Sequence, residues 1–217
     1  MGVIQTSAGQ IKPGRYADFV SQAGEASKIF QRLGAKPPRL HVAGFAGEAF
    51  GTWTFSVESD DLDSFGVLSD AFSGDGEAQA FMLRIQEPTA PTVMQQVQLL
   101  TEIPIREPKG GRGPVLAVWV SKAHPGGVEG TLAMAGRANA FAEKQGAVNT
   151  RLFSTIGAGS GTGLYICTWE FENVRGYAKA IEGFSSEPEG QAIATAAAAA
   201  DAPDTLVFEA VYSEIPL

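Results

Sequence analysis

Two side chains in this chain titrate near neutral pH, His41 and His124, and one thiol is present, Cys167. A histidine can take a proton from a substrate and hold it, because its pKa lies close to physiological pH. His41 sits in the apolar stretch Arg39 to Phe45 and is the candidate general base. His124 precedes Pro125-Gly126 and reads as a solvated turn residue. A substrate beside His41 would meet aromatic and amide side chains. Trp53, Phe55, Tyr16, Tyr212 and Gln95 are the residues expected to bind it, and they suit an aromatic or hydrophobic molecule. Gln95, Gln96 and Gln98 are unexpected in a stretch that otherwise reads as a strand. Alternation predicts that the three cannot share one face. Two distant histidines and one cysteine give no metal-ligand spacing, so no metal is expected. Cys167 lies in a buried-type strand and is expected to be inert. The glycine-dense run 157–163 precedes no helix that could receive a phosphate, so it reads as a turn.

The elements that position these residues occur twice. Residues 3–105 slide onto 115–217 at a constant offset of 112 without a gap, and 24 of the 103 aligned pairs are identical. The matches concentrate on glycine and proline, such as Pro13-Gly14 with Pro125-Gly126, Gly34 with Gly146, and Gly51 with Gly163. Those residues fix backbone geometry, so the halves share a path. The chain therefore reads as repeat one over 1–105, a polar Gly/Pro-rich linker over 106–114, and repeat two over 115–217. The repeat gives candidates for symmetric duties. Arg39 matches Arg151, and Glu58 matches Glu170. Paired carboxylates could do acid–base work, but one Arg–Glu bridge inside each copy accounts for both pairs. His41 breaks the symmetry, because repeat two has Phe153 at that place.

Each copy reads β-α-β-β-α-β. Helical spacing of apolar residues runs over Arg15 to Leu33 and ends at Gly34, the residue type that closes a helix in a left-handed conformation. Arg39 to Phe45 and Thr52 to Glu58 form a hairpin, with Trp53, Phe55 and Val57 alternating against Thr54, Ser56 and Glu58. Asp60 to Phe72 and Glu77 to Ile85 read as helix, the latter becoming Gln191 to Ala200 in copy two. A last strand follows at Val93 to Ile103. Gly24 and Gly136 fall mid-helix, where close packing is the expected reason for a residue that weakens the helix. The predicted class is α+β: tandem ferredoxin-like units whose two sheets form one intramolecular barrel.

Bulk properties narrow the partners. The formal net charge is -8 and the pI about 4.8, which disfavours nucleic acid and anionic membrane surfaces. The first ten residues carry neither a basic nor an apolar leader pattern, and no apolar run approaches a membrane span. A cytoplasmic protein with a small-molecule ligand, monomeric or homodimeric, is the expectation.

The segments GEAFGTWTFSVE and GTGLYICTWEFE, FSGDGEAQA and FSSEPEGQA, and LLTEIPI and VYSEIPL resemble the dimeric α+β barrel superfamily in a tandem form. The likeness is to bacterial NIPSNAP-like and antibiotic-biosynthesis-monooxygenase-like proteins and covers the whole chain. It implies pockets between sheet and helices, and cofactor-independent monooxygenase, cyclase or isomerase chemistry with His41 forming an enolate or phenolate. It implies no cofactor, with haem left open because some similar proteins hold it through one histidine. Many similar proteins have no known activity, and the alternative reading is a binding or stress-related barrel protein whose pocket holds a hydrophobic ligand without turnover.

Overall fold

A computed structural model describes residues 1–106 and 110–217, so the expected linker lies partly outside the described residues. The first repeat runs β1 (Val3–Ile11), α1 (Tyr16–Arg32), β2 (Arg39–Phe45), β3 (Thr52–Ser59), α2 (Leu62–Gly74), α3 (Gly76–Ile85) and β4 (Thr92–Glu102). The second runs β5 (Val115–Ala123), α4 (Val128–Lys144), β6 (Asn149–Gly157), β7 (Tyr165–Phe171), α5 (Val174–Ser186), α6 (Pro188–Ala197) and β8 (Asp204–Ile215).

The punctuation works as its chemistry dictates. Gly34 and Gly146 follow α1 and α4 at φ of 95° and 105°. There the Ala35 and Ala147 amides return to the Phe30 and Ala142 carbonyls. Asp61 and Asn173 cap α2 and α5, accepting from the amides of Ser64 and Gly176. Helix α6 begins earlier than apolar spacing suggests, because Pro188 fits a first turn, where its missing N–H would be unpaired anyway. Gly24 and Gly136 correct the expectation of close packing: a Cβ built at either would meet nothing within 4 Å.

The strand order is β4-β1-β3-β2 in the first repeat and β8-β5-β7-β6 in the second. The free edge of β2 pairs with β8 and that of β6 with β4, both antiparallel, closing one eight-stranded barrel. Closure leaves neither sheet with an exposed edge. Each sheet has one face under its own helices and one face toward the common lumen. Phe19, Leu40, Trp53, Phe55 and Val57 form the core under the first set of helices. Ala117, Ala142, Trp169, Phe171 and Val211 do so under the second. No helix among the described residues is long and apolar enough to cross a membrane.

Candidate functional site

The strand alternation that splits Trp53, Phe55 and Val57 from Thr54, Ser56 and Glu58 also splits the candidate residues between two chambers. One lies between the first sheet and its helices. The other is the lumen.

The sheet–helix chamber measures about 280 Å³. Its floor is Gln5 and Ser7 of β1, Trp53 and Phe55 of β3, and Met94 and Val97 of β4. Its roof is Phe19, Gln22, Ala26 and Phe30 of α1, Phe72 of α2, and Phe81 and Met82 of α3. One small residue, Ser7, lines it, and the small Val57 lies in the adjoining core. Where repeat one has Ser7 and Val57, repeat two has Trp119 and Trp169. Those two indoles pack with centroids 4.0 Å apart, and Trp169 stacks on Phe184, so the matching space is filled. The filled site is also satisfied: Trp169 Nε1 donates to Asn139 Oδ1 at 2.8 Å. In the open site the buried Trp53 Nε1 has no partner among the described residues. An orphaned buried donor costs about 1–3 kcal/mol, which a ligand acceptor would remove. Met94 and Val97 are partly exposed and mark the mouth. No Asp, Glu, His, Lys, Arg, Cys or Tyr lines this chamber among the described residues.

The lumen measures about 390 Å³ and is lined by alternate residues of all eight strands, among them Thr6, His41, Thr54, Leu100, Val118, Phe153, Ile166 and Tyr212. Its two ends differ. One end holds Arg39 and Arg151 with four carboxylates. Arg39 donates to Glu214 at 2.7 and 3.0 Å and to Glu170 at 2.9 Å. Arg151 donates to Glu102 at 2.8 and 2.9 Å and to Glu58 at 2.9 Å. The sequence suggested one such bridge inside each copy; each arginine instead binds the carboxylates of the other repeat. The reason is the barrel closure, which sets β2 beside β8 and β6 beside β4. Burial works against the charge on both guanidinium groups, but the carboxylates outweigh it and hold their pKa values above the ordinary level. Burial likewise pulls Glu214 up, and Arg39 pulls it further down.

The other end carries Gln95, Gln96 and Gln98. All three line the lumen, against the expectation from alternation. The register between β1 and β4 slips after Ala8, which pairs with Gln96, while Gly9 pairs with Met94. Gln95 is the extra residue of a β-bulge, and the bulge turns neighbours to the same side. Repeat two has the same slip, leaving Val207 unpaired.

His41 stands between these ends, 2% exposed, with neither ring nitrogen hydrogen-bonded among the described residues. Burial lowers its pKa to about 4, helped by Arg39 and Arg112 and opposed by Glu214. The imidazole is therefore neutral at pH 7, with one donor and one acceptor free. Burial also raises the Tyr212 phenol, against a hydrogen bond with Thr52.

The predicted site residues thus divide. His41, Gln95 and Tyr212 line the lumen, Phe55 lines the sheet–helix chamber, and Trp53 borders both. Tyr16 lines neither and is exposed at the start of α1. The sheet separates Phe55 from His41, while Tyr212 and Trp53 share the lumen with it. Sequence reasoning missed Ser7, although its mismatch with Trp119 was visible at the repeat offset. His124 is bonded at a surface turn, Nε2 to Thr205 Oγ1 at 2.8 Å. Cys167 donates to Asn139 Oδ1 at 2.9 Å, and burial pushes its pKa up to about 12. Among the described residues no cluster of His, Cys, Asp and Glu could hold a metal. Haem held through a histidine does not fit the sheet–helix chamber, whose lining has no histidine; His41 faces the far side of the sheet.

The chain matches no protein-family model and no curated protein. Solved structures do resemble it. A proposed monooxygenase from Fusobacterium nucleatum superposes with a TM-score of 0.66 at 10% identity, over 99% of this chain and 93% of that one. An anthrone oxidase-like protein gives 0.64 at 11% identity, over 99% and 91%. A chlorite dismutase variant from Candidatus Nitrospira defluvii gives 0.55 at 12%, over 99% and 92%. The fold is that of the dimeric α+β barrel, with both ferredoxin-like halves carried on one chain.

Proposed function

We propose that this protein is a small-molecule enzyme of the α+β barrel type whose substrate is a flat hydrophobic molecule bound between the first sheet and its helices. One observation carries the reading: the pseudo-symmetric halves differ in an open chamber on one side and two packed indoles on the other. The open chamber is largely apolar and has a buried donor without a partner among the described residues, Trp53 Nε1. That combination selects an aromatic body with an oxygen acceptor. The names of two structural neighbours, a proposed monooxygenase and an anthrone oxidase-like protein, support an oxidative reaction on such a molecule. They favour the monooxygenase-like over the NIPSNAP-like side of the motif resemblance.

Anthrone illustrates the chemistry. Loss of one proton from its central CH₂ places negative charge on the ring oxygen, where the Trp53 N–H would donate. Reaction with oxygen then gives anthraquinone and water, which balances one anthrone against one O₂. A preorganised donor at a developing oxyanion contributes roughly 10²–10³ in rate. His41 faces the lumen, so in this reading the proton passes to solvent base.

The test is oxygen-dependent conversion of anthrone to anthraquinone, followed by absorbance in the wild type, Ser7→Trp and Trp53→Phe. Turnover in the wild type that Ser7→Trp abolishes supports the reading. Absence of turnover in the wild type overturns it. A second reading, a carrier that binds without reaction, is favoured by the lack of a titrating side chain in the chamber. Saturable anthrone binding without product formation supports that alternative.

A further inference from the structure

We propose that the barrel lumen is a second ligand site, separate from the sheet–helix chamber, which takes a neutral, largely apolar molecule bearing one hydroxyl group, with His41 as the group that recognises the hydroxyl. The site is built by the barrel closure. All eight strands contribute to a cavity of about 390 Å³ whose middle is walled by apolar side chains such as Leu116, Val118 and Phe153. His41 is nine-tenths or more buried and lines this cavity, and neither ring nitrogen has a partner among the described residues. Thr6 Oγ1, on another strand lining the same cavity, is likewise buried and unpaired among the described residues.

The repeat shows that the fold does not need a polar group there. Phe153 occupies the matching place in repeat two, also faces the lumen and is buried. A phenylalanine in the first repeat would satisfy packing without stranding two nitrogen atoms. The chemistry of the ligand follows from what surrounds His41. A neutral imidazole offers one N–H and one lone pair. A hydroxyl complements either. A carboxylate or phosphate is disfavoured, because Glu58, Glu102, Glu170 and Glu214 outnumber Arg39, Arg151 and Arg112 at the charged end. The register also sets His41 directly beside Thr54 and the Glu214 carboxylate, so an anion at this level would meet a like charge.

The experiment follows the ring nitrogens of His41 by NMR in full-length protein labelled with ¹⁵N-histidine, titrated with 2-naphthol and, separately, naphthalene. Ser7→Trp closes the other chamber, so binding there does not contribute. The wild-type chain is titrated in parallel, which reads His41 directly whether or not Ser7→Trp folds. The expected result is a saturable shift of the His41 signals with 2-naphthol, with His124 unmoved. Read by the ligands' own fluorescence in the Ser7→Trp background, affinity should fall at least tenfold for naphthalene, and also for 2-naphthol when His41→Phe, which copies the residue of repeat two, is added. No saturable shift up to the solubility of 2-naphthol overturns the proposal. Equal affinity in His41→Phe, or for naphthalene, overturns it too. Anthrone turnover in the wild type is read independently, so the two sites fail or stand separately.

Discussion

Arg39 of the first repeat places its Nη1 2.9 Å from Glu170 Oε2 of the second. Its pseudo-symmetric counterpart Arg151 reaches back to Glu58 at the same distance. The two bridges exchange charges between repeats at one end of the lumen. They hold the closed barrel in register, since each spans a seam between the sheets. Glu170 is fully engaged there: it also accepts from the Gly113 amide and from Asn149 Nδ2.

Removing either arginine leaves two carboxylates facing each other at low exposure. The Arg39 and Glu170 side chains are 13% and 6% exposed. Breaking such a pair by deleting one partner costs about 3–5 kcal/mol, because the remaining charge is buried without compensation. Arg39→Met and Arg151→Met should each lower stability by that order in urea unfolding. Glu170→Gln in the Arg39→Met background should recover part of the loss. An additive double mutant would show that the bridge carries no coupling.

Much of this architecture was legible in the chain. Glycines 34 and 146 and the matched prolines located the turns, and the alternation in Thr52 to Glu58 separated the two faces of the strand. The seams between repeats were not legible, because which edge strand meets which depends on closure and not on local pattern. That is why the sequence alone pairs Arg39 with a carboxylate of its own copy. The bulge at Gln95 was hidden for a similar reason: a one-residue slip is a property of two strands, and neither alone shows it. His41 stands out as a departure from the repeat, yet its separation from Phe55 by the thickness of the sheet follows from barrel closure and not from local pattern.

The mid-helix glycines give a stabilising prediction. Nothing lies within 4 Å of a Cβ at Gly24 or Gly136, and neither has a positive φ. Alanine at each should stabilise the fold by about 0.5–1 kcal/mol through helix propensity alone. Gly190 should behave in the opposite way. A Cβ there would fall 2.6 Å from the Gly183 carbonyl oxygen and from the Phe184 Cα, so Gly190→Ala should destabilise. Thermal unfolding of the three variants distinguishes the cases by sign.

The exchange of small and large residues across the repeat gives a reciprocal pair. Trp119→Ser removes a partly buried indole that packs at a tilt against Trp169 and should cost about 2–3 kcal/mol, below the range for emptying a fully buried aromatic position. It should also create a binding chamber in repeat two. Ser7→Trp should close the chamber of repeat one at little cost, or with a gain, because it fills space already present. Titration with a hydrophobic fluorescent ligand would show one site gained and one lost. Unchanged binding in both variants would mean that these positions do not control access.

His41 makes stability depend on pH in a window set by its own burial. Its pKa falls from an ordinary 6.5 to about 4, first through burial and then through Arg39 and Arg112, with Glu214 opposing them. Between those two values the unfolded chain takes up a proton that the folded chain refuses, so acid favours unfolding. The full stability is present above pH 6.5 and declines by about 1.4 kcal/mol per pH unit below it, reaching a loss of roughly 3 kcal/mol near pH 4. Carboxylates add their own dependence at the acid end, so the comparison must be with His41→Phe, which keeps them all. Urea unfolding between pH 7.5 and 4.5 should show a steeper decline in the wild type than in the variant, with the gap opening first near pH 6.5. Parallel curves would mean that the folded protein accepts the proton as readily as the unfolded chain, and that the imidazole is not held neutral by the lumen.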